Sequence, residues 1–273
     1  MSSNTVYAIT GANRGLGLGL VKTYLSRPNI TVIGIVRNSA GARMLRSAIS
    51  AAAEARGTNS ILYTVEIDFS DSTITEAPEQ IRELVLTGTD NIAHINTLIL
   101  SAATLTPMVP TLSITAADLR KCFQVNTIAP LMTFKALWPL LQAAEGPKKF
   151  IMISSSVASI GAMEPLAGSA YAMSKVAMNW ATKSLHEQIV GKDGDGDGLV
   201  SVVVHPGWSS TEMGVTAAGD WNVDVKEIME SGHMVTVDQS VKRVVSIVDG
   251  VTRERDGGKF LTGVTGSRME VPW

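Results

Sequence analysis

The chain has 273 residues, 45% of them hydrophobic, with Lys+Arg 23 against Asp+Glu 25 and a net charge of −2. That is the composition of an ordinary globular protein able to bury a self-sufficient core. The charge is spread along the chain rather than gathered into basic stripes, which excludes a nucleic-acid surface and a polybasic membrane anchor. The single Cys122 excludes an internal disulfide or a Cys-rich zinc site, fits a reducing compartment and is expected as a small buried hydrophobe.

In chain order, β-branched runs at 5–10, 30–36, 61–67, 95–100, 149–154 and 199–204 alternate with helical patterns at 16–25, 40–56, 74–87, 118–144 and 170–190. Several of the runs are apolar nearly throughout, as strands buried on both faces must be. The rhythm predicts an α/β fold: one doubly wound Rossmann domain over 1–273 with a parallel sheet of seven strands. No basic segment followed by an apolar stretch opens the chain, and no run reaches the ~18 apolar residues of a membrane span, so a cytoplasmic protein is expected. The KDGDGDG stretch at 192–198 copies the start of a calcium loop, but its twelfth position is Val204, and a connecting loop is the expectation.

Directly after the first strand comes Thr10-Gly11-Ala12-Asn13-Arg14-Gly15-Leu16-Gly17, opening a helix. Glycines there permit a tight turn and close backbone approach, while the helix N-terminus offers free N–H groups to a pyrophosphate. The spacing is TGxxxGxG rather than the commoner GxGxxG. In this motif, in Tyr171-Ala172-Met173-Ser174-Lys175 and in the Pro206-Gly207 turn, the sequence resembles the short-chain dehydrogenase/reductase family, over essentially its whole length. TGANRGLG, ISSS…YAMSK, HPGWSSTEMG and GGKFLTGVTG…VPW are most similar to its carbonyl-reductase-like subgroup, which includes C-factor, sniffer and fungal polyketide ketoreductases.

The resemblance implies a nicotinamide dinucleotide held by Gly11, Asn13, Arg14, Gly15, Leu16 and Gly17, with Asp68 and Phe69 toward the adenine and Lys175 on the nicotinamide ribose. Pro206, Gly207, Trp208 and Thr211 are expected near the carboxamide and pyrophosphate. The second strand ends Val36-Arg37-Asn38 with no carboxylate to bond ribose hydroxyls. Arg37 and Arg14 could clamp a 2′-phosphate instead, which points to NADP(H) over NAD. Asp68 could equally cap a turn.

Tyr171 and Lys175 stand i, i+4 on a helix, so both project from one face, and a nearby ammonium is expected to favour the phenolate. The resemblance makes Tyr171 the proton donor, Lys175 its partner, Ser155 the hydrogen-bond donor to the carbonyl oxygen and Asn126 the holder of a relay water. Among neighbouring serines, Ser159 is the runner-up to Ser155. Leu100-Ser101-Ala102-Ala103 replaces the family's NNAG. His94, His186, His205 and His233 lack metal-ligand spacing, no metal is expected, and His205 is read as structural.

Residues 208–236 are expected as a substrate lid, made apolar by Trp208, Met213, Trp221, Met229 and Met234, with Met163 adding to it. The function expected is reduction of a bulky apolar or aromatic ketone or aldehyde by NADPH, in a homo-oligomer, dimer or tetramer, with no nucleic-acid or membrane partner. The competing class is a non-catalytic NADP(H)-binding regulatory or interaction protein.

Overall fold

The computed structural model describes residues 4–190, 198–264 and 266–273; the calcium-like stretch thus lies outside the described residues except for Gly198. Ten strands are described: β1 (Thr5–Thr10), β2 (Ile30–Val36), β3 (Ile61–Glu66), β4 (Thr97–Leu100), β5 (Lys148–Ile153), β6 (Leu199–His205), β7 (Trp208–Ser209), β8 (Met234–Val235), β9 (Phe260–Thr262) and β10 (Met269–Glu270). The helices are α1 (Gly15–Leu25), α2 (Ser39–Ser50), α3 (Ser72–Glu76), α4 (Pro78–Thr87), α5 (Ala116–Phe123), α6 (Ala129–Gln142), α7 (Ser169–Val190), α8 (Glu212–Asp220), α9 (Val225–Glu230), α10 (Val237–Gly250) and α11 (Arg253–Asp256).

The main sheet runs β10-β9-β6-β5-β4-β1-β2-β3, and β7 and β8 form a separate parallel pair. Its strands are parallel except for β10, which turns back antiparallel onto β9. Seven of its strands are parallel, as expected, six of them at the runs read from the sequence and the seventh β9; the sheet has eight because Met269 and Glu270 hairpin back as an edge too short to carry a period-2 signal.

Side chains alternate between the two faces of the sheet. On β5, Ile151 and Ile153 join Leu20, Val21 and Val244 on one side, while Phe150 and Met152 join Ile81, Leu137 and Met178 on the other. Strand order reverses at β1, whose neighbours are β2 and β4, and the C-terminal ends of β1 and β4 open the crevice where doubly wound sheets bind ligands.

Three long helical patterns are broken in the structure. The 40–56 pattern stops as α2 at Ser50 and resumes only as a 3-10 turn at Ala53–Ala55. The 74–87 pattern divides at Ala77, where Pro78 cannot continue a hydrogen-bonded helix and begins α4 instead. The 118–144 pattern holds a π-turn at Gln124–Ile128, with Ala129 N–H reaching back to the Gln124 carbonyl. Just beyond it, Pro130 has no N–H to give the carbonyl of Asn126 four residues earlier.

Candidate active site

The glycine turn is built by close approach. Gly11 and Gly15 have φ of +68° and +53°, and a Cβ on Gly17 would lie 2.2 Å from the Gly11 carbonyl oxygen. A Cβ on Gly11 would meet Ala102 Cα at 3.0 Å, so the divergent Ser101-Ala102 segment packs directly under the turn. Thr10 Oγ1 fixes that contact by accepting the N–H groups of Ser101 and Ala102, both at 3.0 Å. Arg14 at the α1 N-cap gives no side-chain cap, leaving the first-turn N–H groups for a ligand. The side chains of Leu16 and Phe69 lie in the core, so only their backbone can face a bound molecule.

Distant segments converge on this turn. Thr211 caps α8 by accepting Gly214 N–H at 3.1 Å, and its Cγ2 would lie 3.2 Å from a Cβ on Gly15. Glu212 pairs with Arg14 across the same gap, both side chains exposed. Arg37 is exposed at the end of β2. Asp68 accepts both the N–H and the hydroxyl of Ser70, so it does cap a turn. Gly207 has φ +85° with Arg243 beside it. This cradle of turn, helix N-terminus and basic rim fits a dinucleotide: the glycines admit the pyrophosphate and the arginines could reach a phosphate on the adenosine ribose.

Beyond the crevice, α7 carries Tyr171 and Lys175. The Lys175 ammonium, 1% exposed, donates to the Ile153 carbonyl at 2.8 Å and lies 5.9 Å from the Tyr171 ring centroid. Burial holds Lys175 down to about 7. Burial also pushes the Tyr171 phenol up to about 12, against a smaller downward pull from its hydrogen bond with the Ser155 side chain. The expected lowering of the phenol by the ammonium is thus absent: Lys175, held down to about 7, loses its charge before the phenol titrates, and it is directed at the strand end instead. The buried Cys122 thiol, itself raised by burial, adds a smaller upward push to both groups. The structure therefore brings Tyr171, Lys175 and Ser155 together.

Asn126, buried in the π-turn, accepts Thr104 N–H at 2.8 Å and donates to the Thr104 carbonyl at 2.9 Å and Ser174 Oγ at 3.0 Å. Ser174 in turn donates to the Tyr171 carbonyl at 2.7 Å. Both amide hydrogens of Asn126 are thereby used, and its side-chain oxygen holds one donor. Ser174, Thr104 and Thr10 escaped sequence reasoning. Ser174, adjoining Lys175, carried the clearest signal, but its partners come from other elements.

Ser159 is occupied elsewhere, donating to the Pro272 carbonyl and accepting Ala162 N–H at 3.0 Å. His205 Nδ1 accepts Ser156 N–H at 3.1 Å, and burial first, then the Arg243 charge, hold its imidazole down to about 4, neutral near pH 7. In the 208–236 segment, Trp208 and Trp221 meet edge to face at 5.3 Å. Asp220 accepts Met108 N–H at 2.8 Å, tying α8 to the loop after β4. Met234 is 1% exposed and belongs beneath this segment, not on its surface. Among the described residues, no group of three or more His, Cys, Asp or Glu is placed to hold a metal ion.

A family model described as short chain dehydrogenase matches residues 5–220. A short-chain dehydrogenase of Neurospora crassa is 33% identical over 277 residues, covering 100% of this chain and 99% of that protein. A norsolorinic acid ketoreductase of Dothistroma septosporum is 32% identical, covering 100% of this chain and 94% of its own. Among solved structures, the carbonyl reductase Sniffer of D. melanogaster superposes with a TM-score of 0.76 at 25% identity, covering 100% of both chains. The NADPH-bound carbonyl reductase from chicken fatty liver gives 0.75 at 28%, also over 100% of both. Matching sequence, matching fold and a dinucleotide cradle at the sheet's switch point agree: the chain belongs to the short-chain dehydrogenase family, an oxidoreductase using a nicotinamide dinucleotide.

Proposed function

We propose that this oxidoreductase is an NADPH-dependent ketoreductase converting a bulky, largely apolar or aromatic ketone or aldehyde to an alcohol. The observation that carries the reading is the junction of Tyr171 and Lys175 on α7 with Ser155 at the end of β5, beside the glycine turn. NADP(H) over NAD is supported by Arg14 and Arg37 and by the lack of a carboxylate at the end of β2. The NADPH-bound carbonyl reductase and the norsolorinic acid ketoreductase among the relatives are consistent with it.

When bound, the cofactor supplies hydride to the carbonyl carbon. Tyr171, with its phenol at about 12, keeps its proton through the neutral range and delivers it to the carbonyl oxygen. The Ser155 hydroxyl donates a hydrogen bond to the same oxygen as charge develops there. Lys175, charged once an anionic partner or ribose hydroxyl offsets its burial, favours the phenolate left behind. The Asn126 carbonyl, opposite Pro130 in sequence register, takes a water that returns a proton toward the lysine. Trp208 and Trp221 offer an aromatic wall to the substrate.

The whole chain is read as one domain, with 208–236 as its lid. Exposed Met173 and Trp180 on α7, and exposed Ile128, support a homo-oligomer. No described helix is long and apolar enough to cross a membrane, and the buried free Cys122 accords with a cytoplasmic location.

The test is a panel of bulky ketones and aldehydes followed by loss of NADPH absorbance. Turnover of at least one member is expected. Tight NADPH binding with no turnover across the panel would favour the regulatory-binder reading.

A further inference from the structure

Between Ser155 and Tyr171 the chain passes through 156–168, whose regular structure is a single 3-10 turn at Ser156–Ala158. Ile160, Met163 and Leu166 are 63%, 72% and 44% exposed, so apolar burial does little to hold this stretch. Polar contacts from far along the chain hold it instead. Ser159 donates to the Pro272 carbonyl, and Gly161 N–H donates to the Trp273 carbonyl. A Cβ on Gly161 would lie 3.0 Å from both Pro272 Cβ and the Trp273 oxygen, so glycine is what lets the two segments pass this closely.

Residues 271–273 are themselves anchored. Val271 N–H donates to the Phe260 carbonyl at 2.7 Å, carrying the β9–β10 pairing onward. The Trp273 ring lies 5.9 Å from that of Phe260, with Lys183 Nζ of α7 over it at 4.9 Å. Farther along, Trp221 Nε1 donates to the Ala167 carbonyl at 3.0 Å. Ser169, opening α7, then takes a φ of +53°, a conformation that a non-glycine residue keeps only when its surroundings impose it.

We propose that Pro272 and Trp273 are positioning residues: they clamp 159–161 to the sheet edge and thereby set the Ser155 hydroxyl against the Tyr171 phenol. The catalytic part of this rests on the ketoreductase reading; the clamp itself does not. None of its contacts involves the glycine turn or Thr211, so the clamp acts on the carbonyl's pose and not on cofactor binding. A displacement of about 1 Å at a reacting centre costs up to roughly a hundredfold in rate.

The experiment compares parental protein, Trp273→Ala, Trp273→Phe and Ser159→Ala by amide hydrogen exchange over 158–166, NADPH titration and kcat and KM on a ketone. For Trp273→Ala we expect exchange at Gly161 and Ala162 to quicken about tenfold or more and kcat/KM to fall about tenfold to a hundredfold, with NADPH affinity within about twofold. Trp273→Phe should recover most of both losses. Ser159→Ala, which removes one tether and is the recourse if Trp273→Ala does not fold, should show the same pattern at about three- to tenfold. Unchanged exchange overturns the clamp. Faster exchange with kcat/KM near parental, or NADPH affinity falling in step with kcat/KM and no rescue by phenylalanine, overturns the positioning role. Parental turnover judges the ketoreductase reading separately, because exchange needs no substrate.

Discussion

The Lys175 ammonium is bonded to the Ile153 carbonyl, two residues before Ser155, so one hydrogen bond of 2.8 Å ties the Tyr171–Lys175 face of α7 to the strand end that carries the serine. The bond orients the ammonium without repaying the loss of its hydration, and burial holds the group down from 10.5 to about 7.

That shift has a definite consequence for stability. The unfolded chain binds a proton on Lys175 that the folded protein lacks between about 7 and 10.5, so stability rises with pH across that window and the penalty is complete below it. In cofactor-free protein, the melting temperature of Lys175→Met minus that of parental should therefore shrink from about pH 7 to about pH 9. A constant difference would contradict the assignment.

Cofactor choice rests on Arg14 and Arg37. NADPH should bind more tightly than NADH, and Arg37→Asp should narrow or reverse the gap by removing a charge-assisted bond of about 1.5–3 kcal/mol, roughly tenfold to a hundredfold in affinity. Titration of both cofactors measures it, and equal affinities in the parental protein would contradict the reading. Arg14 is shared with Glu212, an exposed pair of small net value, so Arg14→Ala should be milder than Arg37→Asp.

The serines separate by their partners. The Ser155 side chain lies close enough to the phenol to pull against its rise, whereas Ser159 serves Pro272 and Ala162. Losing a donor aimed at developing negative charge costs ~2.7–4 kcal/mol, so Ser155→Ala should lose about a hundredfold or more in kcat. Ser154→Ala, Ser156→Ala and Ser159→Ala should each lose much less. Steady-state kinetics on one ketone checks the series; a dead Ser159→Ala beside a near-parental Ser155→Ala would reverse the assignment.

What the sequence made legible is what short-range patterns encode. The apolar runs fell on β1, β2, β3, β4, β5 and β6, and the glycine spacing marked the turn before α1 because backbone sterics act locally. The break at Asn126 was hidden inside a continuous helical pattern, since a π-turn changes one hydrogen-bond register and leaves the apolar period nearly intact. The β10 edge, the Pro272–Trp273 contacts and the Arg14–Glu212 pair unite residues far apart in the chain, which spacing cannot show. The ammonium's expected effect on Tyr171 failed because i, i+4 spacing gives proximity on a helix but not the burial that governs both groups.

The central claim is that the Tyr171 hydroxyl is the proton donor in a hydride-transfer reaction. It is tested most directly by Tyr171→Phe, measuring kcat on a ketone that the parental enzyme turns over and, on the same preparation, the NADPH dissociation constant. The account predicts a fall in kcat of about a hundredfold to ten-thousandfold, the contribution of a general acid, with NADPH affinity within about twofold of parental. Substantial turnover retained by the phenylalanine variant would contradict it.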